Sequence, residues 1–302
     1  MREDQKGVLA LVTACTVWGL SALYYGQLRH VPPIEVLSYR CLWGLAFFLG
    51  ILAVQRRLSV LAQALANIRQ VVVMLIASLM ISANWFGFIY AISTNQALEA
   101  SLGYYIFPLV AVLLGRLVFS ENLASVQWVA IGIAAVAVMV LTAGLGVAPW
   151  IALGLAGTFG AYGLIKKQLD VGPVVSVTCE VLLLAPLAIA WIWFRGTGVG
   201  GDNSLGAHAY IAIAGPLTAT PLILFSYAAK RIRMATVGLV QYLNPTLQLS
   251  VAALIFLEPV TVWHMIALPL IWSALTLYSW SSVRQDRAAR KAASSADVSG
   301  II

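Results

Sequence analysis

Ten long apolar runs are the feature of this sequence that most restricts its fold. Each run holds about 18 residues or more, and short turns containing charged residues, Pro or Gly separate them. A helix needs about 20 apolar residues to cross a bilayer, so these runs predict an all-α integral membrane protein. The ten predicted spans are residues 7–28, 33–54, 71–92, 96–118, 125–143, 148–165, 174–194, 207–229, 235–257 and 262–282.

The scarcity of charge excludes the other broad classes of protein. Only 10% of the 302 residues are charged and 61% are hydrophobic, whereas a soluble domain carries about 25% charged residues. Disordered chains need the opposite composition. The connections between spans average roughly ten residues, which is too few for a separate folded domain. Any function must therefore lie within the helix bundle or at its two faces.

The positions of Lys and Arg predict how the chain is oriented. With the N-terminus in the cytoplasm, fifteen of the 18 basic residues fall on the inner face, Arg29 and Arg195 fall outside, and Arg40 lies within a span. Ten spans with both termini cytoplasmic fit this asymmetry. The net charge of +7 is thus explained by membrane orientation and does not indicate nucleic-acid binding. We expect the basic tail, residues 284–302, to be cytoplasmic, either solvated or in contact with anionic lipid.

Two related halves are visible in the sequence. Pro108 and Glu121 in the first half recur as Pro245 and Glu258, each 137 residues later. A similar echo places a proline at the start of spans two and seven. Because each half holds five spans, the second half enters the membrane from the opposite side, an inverted repeat typical of secondary transporters. The predicted units are residues 1–143 and 144–283, followed by the tail.

Four ionisable residues stand out inside predicted spans, where their energetic cost makes them functional candidates. They are Glu35, Arg40, Glu99 and Glu180. We expect Arg40 to pair with Glu99 across helices, because Glu35 on its own helix stands at an unfavourable spacing. Glu99 and Glu180 are candidate proton sites, since a desolvated carboxylate can titrate. The alternative is that Glu35 and Glu99 lie at the level of the lipid headgroups.

Polar and aromatic residues near the middle of several spans predict a substrate cavity between the halves. Small-molecule sites are typically walled by aromatic side chains with a few polar anchors. Prolines in matching helices are candidate hinges. The alternative for each residue is ordinary hydrogen bonding and packing between helices. The candidate cavity residues are Trp18, Asn84, Trp85, Tyr104, Tyr105, Thr218, Gln241, Tyr242 and Asn244, and the candidate hinges are Pro108, Pro221 and Pro245.

Motifs of common hydrolases and of phosphate-binding loops are absent from the sequence. The three cysteines, Cys15, Cys41 and Cys179, fall inside spans without metal-ligand spacing. We therefore expect no enzymatic activity, no cofactor and no metal, and transport driven by an ion or substrate gradient rather than by ATP.

Several segments resemble a known family. They are residues 34–40, 84–85, 98–109, 178–180, 218–222 and 241–246, and the run Glu-Ala-Ser-Leu-Gly-Tyr at 99–104 is the most specific of them. These segments are similar to EamA-type permeases of the drug/metabolite transporter superfamily, and within it to the RarD branch. One departure is Phe107, where the branch usually has Asn before the proline, while Asn244 supplies an amide at the paired position.

The resemblance implies ten helices in an inverted repeat. It also implies export of a small metabolite or drug by alternating access across a bacterial inner membrane. The expected partners are a small-molecule substrate, membrane lipid and protons as a candidate coupling ion, in a monomer or weak homodimer. Two other interpretations stay open: an uncoupled facilitator of small metabolites, and a membrane-embedded enzyme acting on lipid-linked substrates.

Overall fold

The computed structural model describes residues 3–119, 123–146, 149–166, 169–195, 198–201, 204–229, 231–232 and 240–299. Across these ranges the chain is helical and contains no strand. The helices are α1 (Glu3–Gln27), α2 (Pro33–Val54), α3 (Leu58–Ala66), α4 (Ile68–Ser93), α5 (Ala97–Phe119), α6 (Ser125–Leu145), α7 (Trp150–Lys166), α8 (Pro173–Arg195), α9 (Leu205–Ala212), α10 (Ala214–Ala229), α11 (Leu243–Ser250) and α12 (Val262–Ser299), with a 3₁₀ turn at Val199–Gly201 and a π-helical turn at Val251–Ile255.

Eight helical segments in these ranges are long and apolar enough to cross a membrane. They are α1, α2, α4, α5, α6, α8, the stretch from α9 into α10, and the first part of α12. Two predicted spans are shorter: α7 has 17 residues, and α11 with its π-helical turn covers Leu243–Ile255. Residues 167–168 and 233–239 beside them lie outside the described ranges. The α-helical membrane fold is confirmed, while ten crossings and cytoplasmic termini stay predictions.

Proline begins two helices and interrupts a predicted span. Pro33 and Pro173 are the first residues of α2 and α8, where a missing N–H costs no hydrogen bond. Pro216 lies in the first turn of α10 and cannot donate to the carbonyl four residues earlier. The predicted span 207–229 is accordingly divided at Ile213 into α9 and α10.

The three candidate hinge prolines differ in their local structure. Pro108 lies inside a continuous α5, and Pro221 lies inside a continuous α10. Pro245 lies in the first turn of α11. Pro108 and Pro221 each remove one helical hydrogen bond, whereas an N–H at the position of Pro245 would have no partner within α11. All three remain predicted hinges, although the helices are unbroken at Pro108 and Pro221.

A short helix, α3, occupies the connection between the second and third predicted spans. Its buried residues, Leu61 and Ala64, are three positions apart and so share one face, which packs against α8 and α4. Asn67 then begins α4: its side-chain oxygen accepts hydrogen bonds from the N–H groups of Arg69 and Gln70, at 3.1 and 3.2 Å. Capping of this kind satisfies amides that have no partner within the helix.

Two helix pairs that join the halves are antiparallel. Along α2 and α8, Cys41 clusters with Leu184 and Ala188, whereas Phe48 clusters with Val177 and Val181. The residue numbers rise on one helix as they fall on the other. The second pair is α6 and α12, which pack closely through a row of buried alanines and the ring of Trp263 against Gly144.

Two other pairs that join the halves are parallel. Gly103 and Gly160 bring α5 and α7 together, the first against Ala152 and the second against Ala111. Gly19 likewise allows α1 to approach the backbone of α11, and farther along the chain Gly26 meets the ring of Phe256. Helices early in one half thus contact helices late in the other, and the bundle is a single interlocked unit.

Candidate functional site

Arg40 is a buried cation within the bundle, with 7% of its surface exposed. It is the eighth residue of α2, about 10 Å along the axis from the helix start. Its Nη1 donates to the Tyr25 hydroxyl at 2.8 Å, and the guanidinium lies 4.2 Å from the ring centre of Trp85. The Nε atom is buried and has no hydrogen-bond partner among the described residues. Within those residues, no carboxylate forms an ion pair with Arg40.

The predicted pair between Arg40 and Glu99 is wrong. Glu99 lies in the first turn of α5, half-buried, with its carboxylate close to the N–H of Ile151. The reason is packing: within the described residues α2 packs against α4, α8 and α10 and not against α5, which carries Glu99. The guanidinium meets Tyr25 and Trp85 instead. An Arg over an aromatic ring gains a cation–π attraction of about 0.5–2 kcal/mol. That gain offsets only part of the cost of a charge within a membrane, about 2.5–3.5 kcal/mol on insertion scales.

Glu258 has a structural role that the sequence analysis did not predict. Its two carboxylate oxygens accept hydrogen bonds from the N–H groups of Ala97 and Leu98, at 2.8 and 2.7 Å. The side chain is buried, and it caps the N-terminus of α5 from the other half of the chain. A carboxylate at this position is favoured by the helix dipole and by the free amides of the first turn. Its counterpart in the repeat, Glu121, lies outside the described residues.

Glu180 belongs to a fully bonded buried network between α7 and α8. Lys166 Nζ lies 2.5 Å from one carboxylate oxygen, which also accepts a hydrogen bond from Ser176 at 2.9 Å. The other oxygen accepts a hydrogen bond from Tyr162 at 3.0 Å, and Lys166 also donates to Ser176. Glu180 is 1% exposed. Lys166 was counted among the loop cations in the sequence, but it is the last residue of α7 and turns back to this carboxylate.

Arg40 and Glu180 occupy equivalent positions in the two halves. Each is the eighth residue of a helix that begins with proline, α2 in one case and α8 in the other. Because these helices are antiparallel, the two charges lie on opposite sides of the middle of the pair. The contacts of Cys41 and Phe48 set the register of α2 against α8. With the rise per residue of an α-helix, this register places the two charges about 10 Å apart along the axis.

A series of aromatic rings leads from one charge to the other. Tyr25, which bonds Arg40, is followed by Phe88, Tyr104, Phe159 and Tyr162, which bonds Glu180. Successive ring centres are 5.8, 6.0, 6.2 and 6.1 Å apart. These separations are within the range of favourable aromatic contact. The rings come from α1, α4, α5 and α7, so both halves contribute.

Asn84 is tied into this series by its own hydrogen bonds. It accepts a hydrogen bond from the Tyr104 hydroxyl at 3.1 Å, and it donates to the Leu155 carbonyl at 3.0 Å and to Thr158 at 3.3 Å. It is 1% exposed. The amide therefore joins α4, α5 and α7. This is the hydrogen bonding between helices that was the alternative to a cavity role for Asn84. Its position beside Tyr104 keeps it next to the aromatic series.

Two other predicted cavity residues line a separate cavity. Tyr105 hydrogen bonds Thr246 at 2.7 Å, and Tyr242 lies near Ser279. Both border a cavity of about 420 Å³ between α5, α11 and α12, whose wall includes the exposed rings of Trp272 and Trp280. This cavity opens on the side of the bundle, so the structure does not bring Tyr105 and Tyr242 to the Arg40 site.

The remaining candidates are spread through the bundle. Trp18 packs against Phe225 at 6.1 Å between α1 and α10, and the Asn244 side chain accepts a hydrogen bond from Gln248 at 3.0 Å. Gln241 is half-buried beside α11. Only Thr218 comes to the Arg40 site, where it lies in hydrogen-bonding reach of the Tyr25 hydroxyl.

Glu35 is 5% exposed within the bundle and has polar or charged contacts of its own.

Sequence reasoning missed the residues that complete the two charged sites. Among the 11 tyrosines of the sequence, no pattern distinguishes Tyr25. Ser176 and Glu180, in contrast, stand four positions apart on one helix face, a spacing from which their contact was predictable. Within the described residues, no cluster of His, Cys, Asp or Glu is arranged to hold a metal.

The model of the EamA-like transporter family matches residues 5–143 and again 147–280. The chain is 36% identical to the uncharacterized transporter YojE of Bacillus subtilis over 95% of this chain and 98% of that protein. It is 36% identical to Protein RarD of Streptomyces exfoliatus, over 95% and 92% of the two chains, and 31% identical to Protein RarD of Escherichia coli, over 96% and 99%.

A crystal structure with 19% sequence identity aligns with a TM-score of 0.62, covering 93% of this chain and 99% of that one, which shows a shared fold. The family match extends over nearly the whole length, and relatives named RarD or uncharacterized transporter align end to end. The chain belongs to the EamA-like transporter family.

Proposed function

We propose that this protein is a secondary transporter of the bacterial inner membrane that exports a small metabolite or drug-like molecule by alternating access. The observation that carries the proposal is the arrangement of Arg40 and Glu180. They are buried charges at equivalent positions of antiparallel helices, joined by aromatic rings from both halves. Intramembrane charges at the interface between repeats are typical of transport sites.

The proposal includes ten crossings in two inverted repeats, residues 1–143 and 144–283, with both termini and the tail 284–302 in the cytoplasm. The packing supports it: α2 pairs with α8 and α6 with α12 in antiparallel fashion, while α1 with α11 and α5 with α7 are parallel. If each helix is replaced by its counterpart in the other half, the same set of helix pairs results. Labelling of single cysteines at Ser59 and Asp170 from the inside, and at His30 and Ala148 from the outside, tests the topology.

Transport itself is tested with purified protein in liposomes. Exchange of labelled solutes from a broad metabolite panel, with and without a pH gradient, is measured against empty liposomes. Accumulation of a solute that depends on a gradient supports a coupled exporter. Exchange at a rate that no gradient changes supports the uncoupled facilitator. Failure to move any solute contradicts the proposal. A mass change in added lipid-linked substrates indicates an enzyme.

Proton coupling is assigned in the same proposal to Glu180 or Glu99. Glu180 faces Lys166 within hydrogen-bonding distance, so a proton on the carboxylate would release the lysine. Glu99 lies at the other end of the bundle, near the carboxylate of Glu258. Proton-driven uptake that survives in Glu180→Gln removes the first residue from this role, and survival in Glu99→Gln removes the second. We propose a monomer or weak homodimer as the working unit.

A further inference from the structure

The guanidinium of Arg40 has hydrogen-bonding capacity that the described residues leave unused. Arg carries five N–H donors, and here one bond, from Nη1 to Tyr25, is formed. Nε is buried without a partner in the described part of the chain. A donor in this state costs free energy unless a partner arrives. The residue keeps 7% of its surface accessible.

The equivalent position in the other half shows what a satisfied site looks like in this fold. Glu180 has a cation, Lys166, and two hydroxyl donors, Ser176 and Tyr162, all supplied by α7 and α8. Arg40 has a hydroxyl from Tyr25 and an aromatic face from Trp85, but none of the described residues supplies an anion to it. The arrangement lacks one component, a negatively charged acceptor.

The surroundings of Arg40 indicate the size and charge of that acceptor. Tyr25 and Trp85 lie beside the guanidinium, with ring centres 5.5 and 4.2 Å from it, and Phe88 packs against Tyr25. These rings suit an apolar or planar body. Two other basic residues contact different parts of the fold: Lys166 pairs with Glu180, and Arg29 donates to the Ile92 carbonyl and covers Phe256, although its Nη2 is also buried without a partner among the described residues. At the Arg40 site one cation balances one negative charge, and a second buried charge is costly.

We propose that the substrate is a small organic monoanion, of the carboxylate class, whose charged group binds Arg40 and whose apolar body packs on the neighbouring aromatic rings. This inference rests on the proposed transport function and adds the substrate class to it. A guanidinium forms two parallel hydrogen bonds with a carboxylate. Nε of Arg40 provides one of the two donors, while Nη1 stays hydrogen-bonded to Tyr25.

The test is binding to the purified full-length protein in detergent, measured by calorimetry. The probes are benzoate, 3-phenylpropionate and 2-naphthoate, each compared with its primary amide and with the amine of the same skeleton. These sets keep the apolar body and change only the charge. We expect the acids to bind wild-type protein about tenfold or more tightly than the amides, because a hydrogen bond to a charged group is strong in a buried site.

Two variants and one control separate binding from folding. Arg40→Gln should abolish the difference between acid and amide, and Arg40→Lys should retain part of it, because the charge stays while the planar fork is lost. Arg29→Gln is the matched control. Like Arg40, Arg29 has a hydrogen bond, a cation–π contact and a buried nitrogen without a partner among the described residues. A general effect of losing a packed arginine would therefore appear in this variant, whereas the acid preference should stay.

The outcomes test the substrate class separately from the proposed transport function. Equal or weaker binding of the acids, including no binding of any acid, overturns the inference. An undiminished acid preference in folded Arg40→Gln also overturns it. If liposomes with wild-type protein then move a neutral or cationic solute, the transporter proposal stands without it. If they move no solute at all, the transporter proposal fails as well.

Discussion

Removal of Lys166 should destabilise this protein more than neutralisation of Glu180. The pair is asymmetric: the Glu180 side chain is 1% exposed, whereas the Lys166 side chain is 21% exposed. Breaking a buried ion pair by deleting one partner typically costs 3–5 kcal/mol, because the remaining charge is left uncompensated. Which charge remains therefore decides the cost.

In Lys166→Met the carboxylate of Glu180 stays buried with hydroxyl donors from Ser176 and Tyr162 only. We expect a loss of about 3 kcal/mol in the free energy of unfolding, at the lower end of the range because two hydrogen bonds persist. In Glu180→Gln the free cation is Lys166, whose long chain can carry its ammonium to water. The loss should then be about 1–2 kcal/mol.

The double variant Lys166→Met with Glu180→Gln contains no buried charge at this site. Its loss should be about 2 kcal/mol, smaller than the sum of the single losses, which gives a coupling of about 2–3 kcal/mol. The assay is reversible unfolding in mixed micelles by titration with sodium dodecyl sulfate, followed by the fluorescence of the 10 tryptophans. The exposed pair of Glu3 and Lys6, 2.8 Å apart, is the control, and its cycle should show no resolvable coupling.

Additive losses, within about 0.5 kcal/mol, would refute this reasoning, because independent sites add within that margin. Equal losses in the two single variants would also contradict it, since they would mean that exposure does not decide the cost. A double variant less stable than Lys166→Met alone would show that the network stabilises through its hydrogen bonds rather than through its charges.

Two further predictions concern the contacts that hold α5. A Cβ at Gly103 would lie 2.7 Å from the carbonyl oxygen of Ala152, so Gly103→Ala should lower the free energy of unfolding by about 1–3 kcal/mol in the same titration; Gly154→Ala, with nothing within 4 Å of the added carbon, should be neutral or slightly stabilising, and equal effects would contradict the packing argument. Glu258→Gln should cost about 1 kcal/mol and speed deuterium exchange in the first turn of α5, whose first two amides its carboxylate binds; unchanged exchange would show that the cap does not hold this end.

Much of the fold was predictable from local pattern. The apolar runs located the long helices, and prolines marked the starts of α2 and α8. The division of the eighth predicted span at Ile213 was also encoded locally, by Pro216, but was not predicted. The helix α3 was missed because nine residues with two buried positions make a weak signal beside spans of more than 20.

The partners of the buried charges were not predictable in the same way. Arg40 was correctly singled out as buried, but its assigned partner, Glu99, lies at a helix end beside Ile151 instead. A charge in a span indicates only that something must compensate it. The compensating group can be a carboxylate, a hydroxyl or an aromatic face, and the identity of the neighbouring helix decides which.

The sequence by itself determined that this chain is an α-helical membrane protein of the EamA-like family, because hydrophobic length and family motifs are local properties of the chain. Only the tertiary structure decided that Lys166 turns back to Glu180, that Glu258 caps α5, and that Arg40 meets Tyr25 and Trp85. These contacts join residues on different helices. Helix packing in a bilayer depends on the close approach of small residues such as Gly19 and Gly103, and that geometry is set by all the neighbouring helices together.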